Sequence, residues 1–358
     1  MNQPELDLVG IETVTKIHHA YFLGLQLMVS TRRGSDVVGD WMFRLFRRQH
    51  EDKFLSSFTK LGLDKLPHAV ACAQYHVLSN GVGGVPVEYM FENDQKAWVR
   101  FRYPRWMYAG PTICGVTEDA SLGFLKGWYA QNGVSLGNPN LGFVCISQDM
   151  TGEFGLCGYF KEYDHALEPD ERLVFVKNQH PPKFEVAAQP IPPAGQWGSV
   201  RLAKANRNYA LEYLRNGLVT LSSVIGRQAA IELGIKAAHL IGLQYYPETA
   251  QVLGVPDRGL DSGGDYLCRL FAALGDDVDL QKHSHPQRLE IAHSNLRVTK
   301  GLPADEAEII LPCWQALWRG AMQSRRELLA LAVVPNENQH LWTLAYDSPS
   351  RSNTFPGP

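Results

Sequence analysis

The sequence predicts an α+β fold of two similar helix-plus-antiparallel-sheet units in tandem, joined by a Pro-rich linker. Three observations carry this. Long segments with apolar residues three and four apart are followed by pairs of short segments in which apolar and polar residues alternate. The order of these segments (helices, a strand pair, a helix, a second strand pair) occurs once before residue 167 and again after residue 200. Between them lie the charged run EPDERL and the stretch NQHPPKFEVAAQPIPPAGQWG, which holds five prolines and no periodicity. The expected organisation is a first unit over 1–167, a linker over 168–200, and a second, degenerate unit over 201–358.

In the first unit, IETVTKIHHAYFLGLQLMVS (11–30) reads as a helix, with Ile17, Tyr21 and Leu25 four apart. His18 and His19 lie in it. Being adjacent, they point about 100° apart, so a regular helix cannot aim both at one metal. TRRGSD breaks the pattern, and Ser35 or Asp36 is placed to cap the next helix. There Trp41, Leu45, Phe54 and Phe58 face inward, while Arg44, Arg47, Arg48, Glu51, Asp52 and Lys53 face water. His50 opens the run His-Glu-Asp, but Phe54 stands where a zinc-binding HExxH helix needs its second His. DKLPHAVACAQYHVLS (64–79) is a third helix, ended by NGVGGVP. VPVEYMFE and KAWVRFRYPRW are two strands joined by NDQ. Alternation puts Trp98, Arg100 and Arg102 on one side of the second strand and Val99, Phe101 and Tyr103 on the other. EDASLGFLKGWYAQNG then reads as a helix with Leu122, Leu125 and Tyr129 inward, and LGFVCISQD and GLCGYFKEYD form a hairpin around MTGEFG.

Beyond the linker, long helices extend from Arg201 to about Ala250, clearest in AAIELGIKAAHLIG, which carries His239. SGGDYLCRLFAALG is another helix, with Ser262 or Asp261 as its cap. VDLQKHSHPQRLEIAHSNLRV supplies strands around HSHP, Pro303–Arg325 is helical, and LALAVVPNENQHLWTLAY is a hairpin around PNEN. His283, His285 and His293 would share a face only in an unbroken strand. Pro286 interrupts it, so a surface turn is expected there rather than a metal site.

Composition narrows the class. Hydrophobic content of 45% and charged content of 20% are those of a soluble globular protein, and a formal net charge of −3 gives no footprint for nucleic acid or a membrane surface. The six cysteines are scattered with no CxxC pair, against a structural zinc site and against a disulfide framework. The opening MNQPELDLVG is polar and acidic, unlike a secretory signal, and the apolar runs are too short to span a bilayer, so a cytoplasmic location is expected. No GxSxG, P-loop or strand-preceded GxGxxG pattern is present.

The candidate site centres on His76. At helical spacing Ala69, Cys72, Ala73 and His76 share one face, and its small residues leave room for a flat ligand, or for a closely packed neighbouring helix. The strand that follows carries Arg100, Arg102 and Arg105, whose forked guanidinium groups match carboxylates. Trp98, Tyr103, Trp106, Tyr108, Phe124 and Trp128 are candidates for an aromatic pocket.

On these residues, the first unit resembles the ligand-binding fold of haem nitric-oxide/oxygen-binding domains and vinyl-reductase-type ligand-binding domains. In the haem branch a His near the end of one helix ligates iron, and a Tyr-x-Ser-x-Arg motif in a following strand pair holds the propionates. His76 has the matching place, and VRFRYPR stands in the matching strand region, where Tyr-x-Ser-x-Arg is absent. The resemblance implies haem b ligated by His76, with Ala73 beside it, Arg100, Arg102 and Arg105 at the propionates, and an open iron face for dioxygen or peroxide. The length and duplicated layout are also similar to the trans-anethole oxygenases. That resemblance implies an oxidoreductase, a haem-dependent oxygenase that cleaves or epoxidises the alkene of a small apolar aromatic substrate, with His76 as its catalytic residue. A homodimer is compatible with either resemblance. The layout is similar as well to the aminothiazoline-carboxylate hydrolase group. There Cys72 would be the nucleophile and His76, at i+4, its base, acting on a small heterocycle or amide. A third expectation is a non-catalytic haem or tetrapyrrole sensor.

Overall fold

The computed structural model describes residues 3–346 other than 104, 193–196, 282–286 and 337–338. His283 and His285, expected in a surface turn, lie outside the described residues. The chain forms α1 (Gln3–Arg33), α2 (Ser35–Lys60), α3 (His68–Val82), β1 (Val87–Asn93), β2 (Lys96–Phe101), α4 (Glu118–Gly127), α5 (Asn132–Ser135), β3 (Leu141–Ser147), β4 (Cys157–Glu162) and β5 (Leu173–Phe175). It continues through α6 (Ser199–Ile225), α7 (Arg227–Leu253), α8 (Leu260–Leu274), β6 (Asp277–Gln281), β7 (Arg288–Ser294), α9 (Ala304–Gln323), β8 (Leu329–Asn336) and β9 (Gln339–Tyr346). The fold class is α+β, as the periodicities predict.

Among the described residues the strands form two sheets, ordered β1-β2-β4-β3-β5 and β6-β7-β9-β8. The order β1-β2-β4-β3 is repeated by β6-β7-β9-β8, and each half runs through three helices, a hairpin, a helix and a hairpin, with the short α5 added after α4 in the first. The same order of strands and helices thus recurs in the two halves. A shared packing device accompanies it. On α4, Gly123 lies where a Cβ would meet the Gly39 carbonyl at 2.5 Å, and at Gly127 a Cβ would meet the Phe43 carbonyl at 2.6 Å, so α4 rests directly on the backbone of α2. In the corresponding pair, a Cβ on Gly242 of α7 would run into the Leu317 carbonyl of α9, and one on Gly320 of α9 into the His239 carbonyl of α7. Only glycine permits so close an approach.

The compact units do not follow the Pro-rich boundary. One comprises residues 25–227, the other residues 1–24 with 228–358. The first thus includes α6, and the second includes α1 up to Gly24, so each is completed by the helix that leads the other's repeat. Within 25–227, Trp41 of α2 donates its indole N–H to the Gly217 carbonyl of α6 at 2.8 Å, and Leu211, Leu214, Leu218 and Leu221 of α6 are buried. Within the second unit, Tyr21 of α1 donates to the Gly234 carbonyl of α7 at 2.9 Å. Trp314 of α9 donates to Nε2 of the buried His18 at 3.1 Å.

The stretch expected to be a linker also belongs to the first of these units. Its residues 173–175 are β5, which pairs in parallel with β3, Phe143 opposite Leu173. Farther on, the Gln189 amide accepts from the Tyr89 N–H at 2.9 Å and donates to the Tyr89 carbonyl at 2.8 Å, fastening the segment to β1. The expected caps differ too. Gly34 and Gly259 occupy the N-cap positions of α2 and α8, and Ser35, Asp36, Asp261 and Ser262 fall inside the first turns. The inward residues of α2, Trp41, Leu45, Phe54 and Phe58, are buried as expected.

Candidate functional site

Helix α3 lies against the sheet of the 25–227 unit, and its small face is spent on that packing. Ala69, Cys72 and Ala73 are fully buried, and His76 is 2% exposed. The imidazole stacks on Tyr129 at 4.0 Å and 14°, and the Phe160 ring lies near-parallel beside both, 5.4 Å from His76 and 5.5 Å from Tyr129. Phe160 sits on β4 opposite Ala97 of β2, which puts it on the same sheet face as Val99 and Phe101.

The His76 ring is held by Asn132, which opens α5 directly after the 3-10 turn Tyr129–Gln131. Asn132 Nδ2 donates to His76 Nε2 at 3.2 Å, and His50 Nε2 donates to Asn132 Oδ1 at 3.1 Å. The Cys72 thiol is a third partner of the same amide. Burial, and then the neighbouring His50, hold the His76 pKa well below its ordinary value, so the ring is neutral. Burial lowers His50 to about 4. Burial pushes the Cys72 thiol far up, with the Asn132 bond opposing only part of the rise.

A cavity of about 420 Å³ opens beside this cluster, between α2, α3, α4 and α6. Its aromatic wall is made by Phe46, Tyr75, Phe124, Trp128, Tyr209 and Tyr213. The edge of His76 reaches it, and Gln49 and Asn80 add amide groups. Lys53 of α2 and Glu212 of α6, both on its lining, form an ion pair at 2.7 Å. Gly83, the C-cap of α3, lets the Tyr209 ring come within 2.8 Å of where a Cβ would stand, which brings α6 over the cavity. A smaller recess adjoins it, sharing Phe46, Asn80, Phe124, Tyr209 and Tyr213 and adding Arg105 and Trp106.

Arg105 is 5% exposed and pairs with the buried Asp149, which also accepts from Ser121 Oγ at 3.2 Å. The guanidinium lies over the rings of Phe101, Tyr108 and Phe124. Burial works against its charge, but Asp149, Tyr108 and the hydrogen bond to Asp149 together raise its pKa. Tyr103 donates its hydroxyl to the Asp149 carbonyl.

The sequence-predicted residues therefore divide. His76, Phe124 and Trp128 line the cavity, and Arg105 and Trp106 line its recess. Ala73 is buried in helix packing, and Tyr108 lies beneath Arg105. Trp98 faces the other side of the sheet, where it packs with Met90, Val144, Cys157 and Tyr159. Arg100 shares that side. Its Nε donates to Glu88 at 2.6 Å, and Arg102 pairs with the same carboxylate at 3.5 Å. Reasoning from sequence missed Phe46, Tyr75, Tyr209 and Tyr213 of the aromatic wall, and Asn132 and His50 behind it.

Haem does not fit this arrangement. The Nε2 lone pair of His76 accepts from Asn132, Tyr129 stacks on the ring, and the small face meant for the macrocycle is filled by protein. The arginines expected at the propionates are separated by the sheet, Arg100 and Arg102 on Glu88 and Arg105 on Asp149. The Cys72–His76 hydrolytic pair does not fit either, since the thiol is buried and protonated and the imidazole is engaged. Among the described residues there is no group of three or more His, Cys, Asp or Glu able to hold a metal ion. His293 is buried with Nε2 on Asp276 at 2.9 Å and Nδ1 accepting from Trp342 at 3.1 Å. No described helix is long and apolar enough to cross a membrane. Comparison with known proteins finds no family model, no curated protein and no solved structure that matches this chain.

Proposed function

We propose that the 25–227 unit binds a small aromatic molecule in the cavity between α2, α3, α4 and α6. The observation that carries this is the cavity itself. Its volume of about 420 Å³ falls in the range of small-molecule sites, and six aromatic side chains converge on it from four separate helices. Aromatic rings offer edge and face contacts to a planar ligand at little cost in side-chain entropy. The wall also carries the polar groups of Gln49, Ser57, Ser79, Asn80 and Asn208 and the Lys53–Glu212 pair, and Tyr209 and Tyr213 are joined through hydroxyls 3.1 Å apart. The small apolar aromatic partner expected from the sequence is kept in this reading. The haem and the iron-based step are not.

The test is a thermal-shift screen of the full chain with uncharged one-ring and two-ring aromatics. A ligand that binds only the native state raises stability by about 2.7 kcal/mol at a hundred times its Kd. Ala205 lines the cavity, and Ala205→Trp should fill it and abolish the shift. Shifts of equal size in the variant would place binding elsewhere.

A further inference from the structure

We infer that the occupant of this cavity is an otherwise apolar aromatic molecule with a hydrogen-bond donor and acceptor side by side on one edge, as in a lactam, and that the Gln49 amide receives that edge. This rests on the reading that the cavity holds an aromatic ligand, and it names the class.

The first ground is what the polar groups of the lining already do. The Tyr209 and Tyr213 hydroxyls hold one another at 3.1 Å. The Ser57 and Ser79 hydroxyls are partners of the Tyr75 hydroxyl. Asn80 donates to the His76 carbonyl at 2.7 Å, and the exposed Asn208 accepts from Arg207 at 3.1 Å. His76 Nε2 accepts from Asn132. Lys53 and Glu212 pair with one another and keep much of their surface in solvent. Gln49 differs from all of these. It is only 6% exposed, and its amide makes no hydrogen bond to any described residue. A buried amide without a partner is costly, so a group that pairs with it gains affinity.

The second ground is access. Trp128 Nε1 and Arg105 Nε are unpaired too, but they are sealed from any probe. The amide nitrogen and oxygen of Gln49 are not sealed in this way, and the space that Gln49 lines is the cavity. On α2 it follows Phe46 by three residues and precedes Lys53 by four, so it shares their helix face and stands between the aromatic wall and the charged pair. A primary amide presents a donor and an acceptor in one plane, whichever way round its oxygen and nitrogen stand. A ligand whose ring N–H and carbonyl are cis matches that edge with two parallel hydrogen bonds, while its rings meet the aromatic wall. A hydrocarbon of the same shape displaces water from the amide and returns no bond to it.

The experiment measures the binding of quinolin-2-one, its N-methyl derivative and naphthalene to the full chain by equilibrium dialysis. The three share a two-ring skeleton. The lactam carries donor and acceptor, the N-methyl compound the acceptor alone, and naphthalene neither. Wild-type protein should bind the lactam at least about tenfold more tightly than the N-methyl compound, the scale of one satisfied buried hydrogen bond. Gln49→Leu keeps the bulk of the side chain and removes the amide, and Gln49→Met takes its place should the leucine variant not fold. In the variant that ratio should fall to within about twofold, because the partner of the ligand N–H is gone. Naphthalene should bind the variant at least as tightly as wild type, which shows the cavity intact. A ratio near one in wild-type protein overturns this inference whatever the variants do. A tenfold ratio that persists without the Gln49 amide overturns it as well, since another group then sets the preference. Either result leaves the aromatic cavity standing when naphthalene binds. Failure of all three ligands to bind wild-type protein overturns both.

Discussion

Asn132 Nδ2 lies 3.2 Å from His76 Nε2, and the carbonyl of the same amide takes the Nε2–H of His50 at 3.1 Å. One side chain thus fixes the tautomers of two buried imidazoles and holds the wall of the cavity. Asn132→Leu would take the amide partner from both buried ring nitrogens. Leaving buried polar groups unpaired costs about 1–3 kcal/mol each. The variant should lose about 2–5 kcal/mol of stability by that measure in urea denaturation. A loss below 1 kcal/mol would mean that the amide holds neither ring.

The three arginines of VRFRYPR should separate in experiment. Arg100 and Arg102 share Glu88 on the sheet face turned away from His76, and Arg102 is half exposed. Replacing both with Ala should cost about 1 kcal/mol or less, as partly exposed pairs do, and leave ligand binding to the cavity unchanged. Arg105→Met removes the counter-ion of a carboxylate with no exposure. That should cost about 3–5 kcal/mol, the penalty for an orphaned buried charge. Denaturant midpoints for the two variants provide the check, and equal losses would contradict the placement.

Acid should destabilise the protein well above the carboxylate range. Burial lowers His18 and His50 from 6.5 to about 4. Below pH 6.5 the unfolded chain takes up protons that the native state refuses, so the stability these groups contribute is complete above pH 6.5. It is lost as pH falls toward 4, where the native rings protonate in turn. The loss is on the order of 3 kcal/mol for each histidine. Unfolding midpoints measured from pH 7.5 to 4 should fall through this window, and His50→Gln should flatten part of the fall. Stability that stays level down to pH 4.5 would show the rings to be accessible to protons.

The two glycine contacts give a parallel test of the duplicated architecture. Gly123→Ala presses a methyl onto the Gly39 carbonyl, and Gly242→Ala presses one onto the Leu317 carbonyl. Backbone has to move in both cases. Each variant should lose about 1–3 kcal/mol, the cost of overpacking. Gly81→Ala meets nothing within 4 Å and serves as the control. A Gly242→Ala protein as stable as wild type would remove that contact from the account.

Local patterns in the sequence were enough to place helices and hairpins. Alternation through Trp98 and Val99 gave β2 and its two faces, and i, i+4 spacing gave the buried residues of α2. The role of Arg100 was within reach as well, because closing the hairpin at Asn93–Lys96 sets Glu88 opposite Arg100 and marks the arginine as a cross-strand partner. What could not be read was long-range. Nothing local in α6 says that Tyr209 and Tyr213 face a cavity lined by Tyr75 and His76, since their repeat belongs to the other half of the chain. Asn132 stood at a helix end before a glycine and was read as part of that helix. Its bonds to His50 and His76 span 82 and 56 residues. The small face of α3 was ambiguous in principle, because small residues serve a flat ligand and a tight sheet contact equally well.

The central claim is that the cavity between α2, α3, α4 and α6 takes a small aromatic ligand, and photolabelling with benzophenone tests it most directly. The full chain is irradiated with the ketone, digested, and the adducts are mapped by mass spectrometry. Labels should concentrate on Phe46, Tyr75, Tyr209 and Tyr213, compete with excess unreactive ligand, and disappear in Ala205→Trp. Labels spread over the surface, or found mainly on residues 228–346, would contradict it.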